Sequence, residues 1–456
     1  MSIEDAMHQK PGQPEPVRRE TGEAGHGRGG GEASSARNAQ PSQGDGDLLG
    51  QALSRENMVK AWKRVKANKG SAGVDGRSVQ QTGERLKDDW PAIRQRLLDG
   101  SYKPEPGLRV SLPKPGGGTR DLGIPTVVDR LIQQALLQVL QPLIDPTFSE
   151  HSYGFRPGRS AHQAVMAARQ HVQAGYTVVV DVDLEKFFDR VNHDILMDRM
   201  AKRIGDKRVL RLIRRYLQAD IMANGTYIER VEGTPQGGPL SPLLANVLLD
   251  DVDRELERRG HRFVRYADDC NVYVKSRRAG ERVLQGLHTQ YAKLRLKVNE
   301  SKTAVAPAHG RKFLGYRLVR SARGVVKLGV AKEAFKRFEE RIRAITRAAR
   351  GRSLTQVVDD LRGYVPGWRA YFKLVDTTSV WAPLDGWICR RLRSLLLRQW
   401  RHGTRIYDAL RALGADADVA AKVASLRRGY WASSVGPINV VLTRAYFDSI
   451  GVPRLS

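Results

Sequence analysis

Two adjacent carboxylates, Asp268 and Asp269, sit between two β-rich runs and constrain this chain more than any other feature. Arg262-Phe263-Val264-Arg265-Tyr266 precedes the break and Cys270-Asn271-Val272-Tyr273-Val274 follows it. Runs of this kind around a short break read as a β-hairpin, which puts both acids at its tip. An Asp-Asp turn alone is ordinarily just a solvated turn. Held together in a folded site, two acids need a cation or another partner, and a divalent metal is the natural one.

A second acidic strand upstream favours such a site. In Tyr176-Thr177-Val178-Val179-Val180-Asp181-Val182-Asp183-Leu184, the two-residue period puts Val178, Val180, Val182 and Leu184 on one face. Asp181 and Asp183 share the other. With the hairpin, carboxylates converging from two strands fit a two-metal site for phosphoryl transfer. There one ion activates the attacking hydroxyl while the other holds the triphosphate and the leaving oxygen. Mg²⁺ prefers hard oxygen ligands of this type.

Further blocks surround the acids in a fixed order. They are Ile124-Pro125-Thr126-Val127-Val128-Asp129-Arg130, Ser152-Tyr153-Gly154-Phe155-Arg156-Pro157-Gly158-Arg159-Ser160, Asp183-Leu184-Glu185-Lys186-Phe187-Phe188-Asp189 and Gly233-Thr234-Pro235-Gln236-Gly237-Gly238-Pro239-Leu240-Ser241-Pro242. Gly363-Tyr364-Val365-Pro366-Gly367-Trp368-Arg369-Ala370-Tyr371-Phe372 lies downstream. In order and spacing these resemble the blocks of bacterial group II intron-encoded reverse transcriptase/maturases, over roughly residues 51 to 456. The resemblance implies an α+β right-hand polymerase, its fingers and palm of reverse-transcriptase type followed by an α-helical thumb or maturase domain. It implies RNA-dependent DNA synthesis with two Mg²⁺ ions and assistance to splicing. The partners it implies are a group II intron RNA, a DNA target and primer, and dNTPs.

The same resemblance assigns roles to residues. Asp183, Asp268 and Asp269 are the expected catalytic acids and metal ligands, with the Leu184 carbonyl as a backbone ligand. In related polymerases an aromatic ring five positions after the first of these acids excludes a ribose 2′-hydroxyl. Phe188 stands there if the acid is Asp183; Asp181, on the same face, is the second choice. One of Phe187 and Phe188 is expected only to pack the core. Lys114-Pro115-Gly116-Gly117-Gly118-Thr119-Arg120 is the expected fingertip, with Lys114 and Arg120 on the triphosphate. Glycines let backbone approach phosphates, and cations offset charge developing on them. Gln236 is expected beside the nucleotide's sugar. Arg156 and Arg159 either contact template or nucleotide, or form structural salt bridges. Arg341, Arg343 and Arg347 are expected to contact RNA.

Composition supports a polyanionic partner. The chain has 77 Lys and Arg against 49 Asp and Glu, a formal charge of +28. From residue 331 on, 23 basic residues face 11 acidic ones. No apolar run approaches the roughly 18 residues of a membrane span, and no lipidation or signal pattern opens the chain. Two cysteines, Cys270 and Cys389, leave no disulfide framework or Cys-rich zinc site. A reducing cytoplasm follows, with association to the nucleoid when DNA is bound.

Residues 1–50 are rich in Gly, Glu, Ser, Gln, Pro and Arg and are expected to be disordered. Residues 51–95 are expected to form an N-terminal extension, with a basic helix from Arg55 to Lys69 burying Met58, Val59, Trp62, Val65 and Lys66. Fingers and palm take 96–330, the thumb 331–400, and a small DNA-binding-like region 401–456. Expected helices run from Asp129 to Gln141, ending before Pro142, from His162 to Val172, from Asn192 to Arg203 and from Ser241 to Arg259. Lys312 to Leu318 reads as one strand. Ala331 to Arg350 and Leu354 to Phe372 read as helices, the second interrupted at Pro366-Gly367, with aromatics spaced for a core. Past residue 330 stand only His402 and Cys389, too few to build the His-Asn-His endonuclease of many relatives. That matches the endonuclease-lacking class C proteins, which prime from a pre-existing 3′ end. A retron-like or defence-associated reverse transcriptase, and an RNA-binding splicing cofactor without polymerase activity, are the competing readings.

Overall fold

The computed structural model describes residues 46–113, 119–223, 225–347, 351–426 and 429–456. The expected disordered tail therefore lies outside the described residues except at its end. Two compact units divide the chain. The larger holds the described residues up to His171 together with Tyr176–Ala306; the smaller holds Val172–Gly175 and Pro307–Ser456.

The larger unit starts with helices α1 (Leu48–Ala52), α2 (Arg55–Ala67) and α3 (Val79–Leu98). Ser54 caps α2 by accepting from the Asn57 N–H, as a serine before a helix does. Helix α2 buries Met58, Ala61 and Val65, at helical spacing, whereas Val59 is 47% exposed. The expected stripe thus included the wrong valine: the small Ala61 lets the helix approach its neighbour, and Lys66 also stays in solvent. Strands β1 (Gly107–Pro113) and β2 (Thr119–Ile124) pair antiparallel, Leu112 opposite Arg120. Helix α4 (Val127–Ile144) is capped by Thr126 and runs through Pro142. Pro142 lies on the exposed side of the last turn, where water can meet the carbonyl deprived of its partner.

Beyond helix α5 (Ala161–Gln173) comes β3 (Val178–Val182), then α6 (His193–Ala201) and α7 (Lys207–Gln218). Short strands β4 (Ile221–Ala223) and β5 (Thr226–Ile228) extend the β1–β2 sheet. Helix α8 (Ser241–Arg258) is buried almost all round, Asn246, Asp250 and Asp253 included. Strands β6 (Arg262–Tyr266) and β7 (Asp269–Val274), helix α9 (Arg277–Lys293) and strand β8 (Ala304–Pro307) complete a second sheet, of order β6-β7-β3-β8. Cys270 lies fully buried in β7.

The smaller unit opens with β9 (Lys312–Phe313), β10 (Tyr316–Arg320) and β11 (Val326–Val330). The expected single strand over 312–318 is instead a hairpin. Leu314 (φ +50°) and Gly315 (φ +79°) are both left-handed, the requirement of a tight two-residue turn between paired Phe313 and Tyr316. Helices α10 (Lys332–Arg347) and α11 (Leu354–Tyr371) follow, α11 continuing without a break through exposed Pro366. Then come α12 (Trp381–Trp400), α13 (Gly403–Ala412), α14 (Ala417–Ala424), α15 (Ile438–Val441) and α16 (Arg444–Ser449). The C-terminal segment returns to the helices before it: Arg369 Nε donates to the Leu455 carbonyl at 2.7 Å and the Leu455 N–H to Asp385 at 2.9 Å. Trp368 centres the core, with ring centroids 4.3 Å from Phe338, 4.7 Å from Phe372 and 5.7 Å from Trp381. Among the described residues no helix is long and apolar enough to cross a membrane.

Because Trp368 is 2% exposed among rings, it acts as core and not as a stacking platform. Trp368→Ala is expected to destabilise the smaller unit by about 3–5 kcal/mol through transfer and cavity terms. Urea unfolding followed by tryptophan fluorescence measures the loss; an unchanged midpoint contradicts the core assignment.

Candidate active site

The valines of β3 hold it between β7 and β8, and its register brings the acids together. Val178 faces Val274, Asp181 faces Asn271 and Val182 faces Cys270. The pairing ends there, and Asp183 follows Val182 directly off the end of β3. Directly opposed residues of an antiparallel pair share a face, as do residues two apart on a strand. Asp181, Asn271 and Asp269 thus share one face, with Asp183 next in the chain beyond Val182. On the other side of β7, Tyr266 pairs with Asp269, which leaves Ala267-Asp268 as a two-residue turn. Ala267 has φ +57°, a conformation that costs a non-glycine residue about 1 kcal/mol.

Burial first, then the carboxylates of Asp268, Asp181 and Asp183, push the Asp269 carboxyl up to about 7. The carboxylates feel one another across this face. Loop 297–303 is laced to β3: the Asp183 N–H donates to Thr303 Oγ1 at 3.2 Å and the Asn299 N–H to the Asp183 carbonyl at 2.8 Å. Lys302 Nζ lies 3.4 Å from the Asp183 carboxylate. The backbone at Leu184 forms an isolated bridge with Val298. Lys302 escaped the sequence reading because one lysine in a polar turn has no distinguishing period.

A buried carboxylate with acidic neighbours, as at Asp269, is the hard-oxygen chemistry a divalent cation compensates. Among the described residues, however, no three His, Cys, Asp or Glu side chains stand arranged to hold an ion together. Asp183 is engaged by Lys302, so the expected ligand set of Asp183, Asp268 and Asp269 is near but not closed.

Left-handed Lys186 (φ +49°) turns the chain into a short 3-10 helix over Phe187–Asp189. Phe187 is buried and Phe188 half-buried, their centroids 5.1 Å apart. The expected division between a packing ring and an accessible ring therefore exists, with Phe188 the accessible one. The Thr234 N–H donates to the Phe188 carbonyl at 2.7 Å, and the Gly123 N–H to the Gln236 carbonyl at 3.0 Å. These bonds tie β2, the Gln236 loop and the Phe188 turn together. Lys114 lies outside the described residues; Arg120 is placed on β2, with only its backbone described.

Of the two alternatives for Arg156, the structure takes the structural one. Its side chain is 4% exposed, with Nε 3.0 Å from the Asp145 carboxylate and Nη1 donating to the Ser149 and Ser152 carbonyls at 2.6 and 3.0 Å. Nη2 donates to Asp145 as well. With its donors consumed, Arg156 cannot also grip a phosphate, and the expected nucleic-acid contact is withdrawn for it. Arg159 pairs with exposed Glu150 and lies 5.5 Å from the Tyr153 ring.

In the smaller unit, Arg341 and Arg347 are exposed on α10, and Arg341 lies 6.0 Å from the Tyr364 ring. Arg343 pairs with Glu339 at 2.7 Å and lies 5.4 Å from the Trp387 ring. Arg391 joins them: burial, then Arg347, Arg343 and Arg398, lower its proton affinity. Arg390 stacks 4.0 Å from Trp431, which is 40% exposed. Arg390, Arg391 and Trp431 were missed because they meet only in three dimensions.

Comparison with known proteins places the chain in a family. Residues 112–318 match the family model described as reverse transcriptase (RNA-dependent DNA polymerase), and residues 335–413 match the group II intron, maturase-specific domain. The second match runs into α13, past the expected thumb boundary at 400. The chain is 32% identical over 313 residues to Protein YkfC of Escherichia coli (strain K12), covering 58% of this chain and 81% of that protein. It is 35% identical over 198 residues to the group II intron-encoded protein LtrA of Lactococcus lactis subsp. cremoris, covering 42% of this chain and 32% of LtrA. Among solved structures it is similar to a partial Cas6-RT-Cas1--Cas2 complex, with TM-score 0.36 and 28% identity, covering 54% of this chain and 42% of that one. The chain belongs to the group II intron-encoded reverse transcriptase/maturases. It is an RNA-directed DNA polymerase by class.

Removing Arg156 leaves the Asp145 carboxylate and three carbonyls without their donors. Arg156→Leu is expected to cost about 3 kcal/mol of stability and to leave the salt dependence of RNA binding unchanged. Arg159→Ala, which breaks a largely exposed pair, is expected to cost about 1 kcal/mol or less. Denaturant melts and RNA binding at several salt concentrations check both; a shallower salt slope for Arg156→Leu returns it to the nucleic-acid surface.

Proposed function

We propose that this chain copies a group II intron RNA into cDNA at the acidic strand tips and holds the same RNA through its smaller unit to assist splicing and mobility. The setting is the cytoplasm, with the nucleoid as the place of DNA targeting. The convergence of Asp183, Asp268 and Asp269 from β3 and the β6–β7 turn carries the reading. Those three acids, with the Leu184 carbonyl, would hold two Mg²⁺ ions, which when bound supply Lewis acidity to the attacking and leaving oxygens. The β3 and β6–β7 strands hold these carboxylate ligands in place. Phe188 presents its ring where the incoming sugar lies and selects deoxyribose by its bulk. Gln236 positions the nucleotide from a loop tied by backbone to β2, and Arg120 and Lys114 meet the triphosphate's charge. Lys302, exposed beside Asp183, adds a further cation at the anionic face.

RNA binding needs phosphate contacts and shape, and the exposed arginines of α10 with Arg391 offer the charge for it. That role does not require the acids, so the two activities should separate.

One experiment tests both halves. Asp269→Asn is expected to reduce Mg²⁺-dependent primer extension by at least about 100-fold while intron RNA binding and splicing at low Mg²⁺ persist. Arg341→Ala, Arg343→Ala and Arg347→Ala combined are expected to weaken RNA binding and flatten its salt slope by up to about three units, with generic primer extension largely kept. Near-normal polymerisation by Asp269→Asn refutes the site. A wild type that binds its neighbouring intron RNA no better than unrelated RNA refutes the maturase half.

A further inference from the structure

We propose that Arg265, Asn246 and Gly154 form a buried clamp that positions the Ala267-Asp268 turn, and so sets the placement of Asp268 and Asp269. The proposal rests on the reading that these acids carry the chemistry. Arg265 Nη1 donates to the Ala267 carbonyl at 2.9 Å and to Asn246 Oδ1 at 2.8 Å. Asn246 Nδ2 in turn donates to the Gly154 carbonyl at 2.9 Å. Gly154 presses on the turn directly: a Cβ there would lie 2.2 Å from the Ala267 nitrogen and 2.9 Å from the Tyr266 carbonyl carbon. Only glycine permits that approach. The segment bearing Gly154 is fixed to β6, since the Arg265 N–H donates to the His151 carbonyl and the Tyr153 N–H to the Arg265 carbonyl, both at 2.9 Å.

The rest of the guanidinium faces away from this work. Nε lies 2.8 and 2.9 Å from the two Asp253 carboxylate oxygens, and Nη2 lies 2.5 Å from one of them. Arg265 is therefore already charge-compensated, and its influence on the acids is through geometry. Arg265, Asn246, Asp253 and Ala267 are all at most 1% exposed, so no solvent competes for these bonds. A left-handed alanine persists only where its surroundings over-determine it, and this network does so from the carbonyl and the nitrogen of the same residue. Arg265, Asn246 and Gly154 are positioning residues; none of them is assigned contact with substrate.

Two variants attack the clamp from opposite sides while leaving the Arg265–Asp253 pair in place: Asn246→Ala and Gly154→Ala. Primer extension on a generic RNA template is measured at a temperature where circular dichroism shows each variant folded. For both, kcat is expected to fall by about tenfold to 100-fold, the scale for an ångström of misplacement. KM for dNTP should stay within about twofold, and the Mg²⁺ concentration for half-maximal rate should rise. RNA affinity should hold, since no phosphate contact changes. Should Gly154→Ala fail to fold, Asn246→Ala decides. Wild-type kcat and Mg²⁺ dependence in the folded variants, with Asp269→Asn inactive, overturn the clamp and leave the site reading intact. A loss of rate matching only the unfolded fraction overturns it too. An active Asp269→Asn removes the site reading and the clamp's object together.

Discussion

Arg265 and Asp253 form an ion pair whose side chains are 1% and 0% exposed, where desolvation opposes both charges. A hydrophobic pair of similar volume would fill the space between α8 and β6 at less desolvation cost. What it could not do is reach four acceptors at fixed angles from one planar group. The guanidinium spans Asp253 and Asn246 on α8 and the carbonyl of the β6–β7 turn, so it sets the height of the helix against the strand tip. The neighbouring Arg203–Asp250 pair, also largely buried at 2.7 Å, repeats the device between α8 and the end of α6. Helix α8 is thus registered by directional polar contacts, while its leucines and valines supply the non-directional burial.

That registration matters because the acids are mutually repulsive. Burial and three carboxylate neighbours raise Asp269's proton affinity, so the sheet must hold charges that would separate if free. A one-residue slip would send Asp181 to the other face, since it inverts every side chain of the strand. The valines of β3 prevent it: Val180 and Val182 are buried, and a one-residue shift would trade them for Asp181 and Asp183. Core burial and acid placement are therefore one constraint read from two faces.

The larger part of this was legible locally. Alternation over 178–184, the helix starts near Arg55 and Asn192, and the short break at 267–268 each depend on neighbours in sequence, and the structure places the elements accordingly. What was hidden depends on distant partners. Arg265 reads as one more residue of a β-run, because nothing near it announces that Asp253 and Asn246 wait on a helix. Arg156 looks like a loop cation until Asp145 and three carbonyls surround it. Pro142 and Pro366 signal breaks, but both lie on exposed sides of their helices, where water can take the freed carbonyl. The hairpin at Leu314-Gly315 was missed because leucine rarely accepts a positive φ.

The smaller unit resolves a different conflict. Its helices must bury several aromatic rings while carrying many arginines, and both demands fall on α10. The answer is periodic: Phe338, Ile342 and Ile345 take the inner face, while Arg341 and Arg347 fall between them on the outer. Arg391 then approaches from α12, its guanidinium fixed to Thr346 Oγ1 at 2.8 and 3.1 Å although Arg343, Arg347 and Arg398 repel it. A hydroxyl cannot neutralise that charge; it can only orient it. Clustered like charges of this kind favour ligands that bring several negative charges at once.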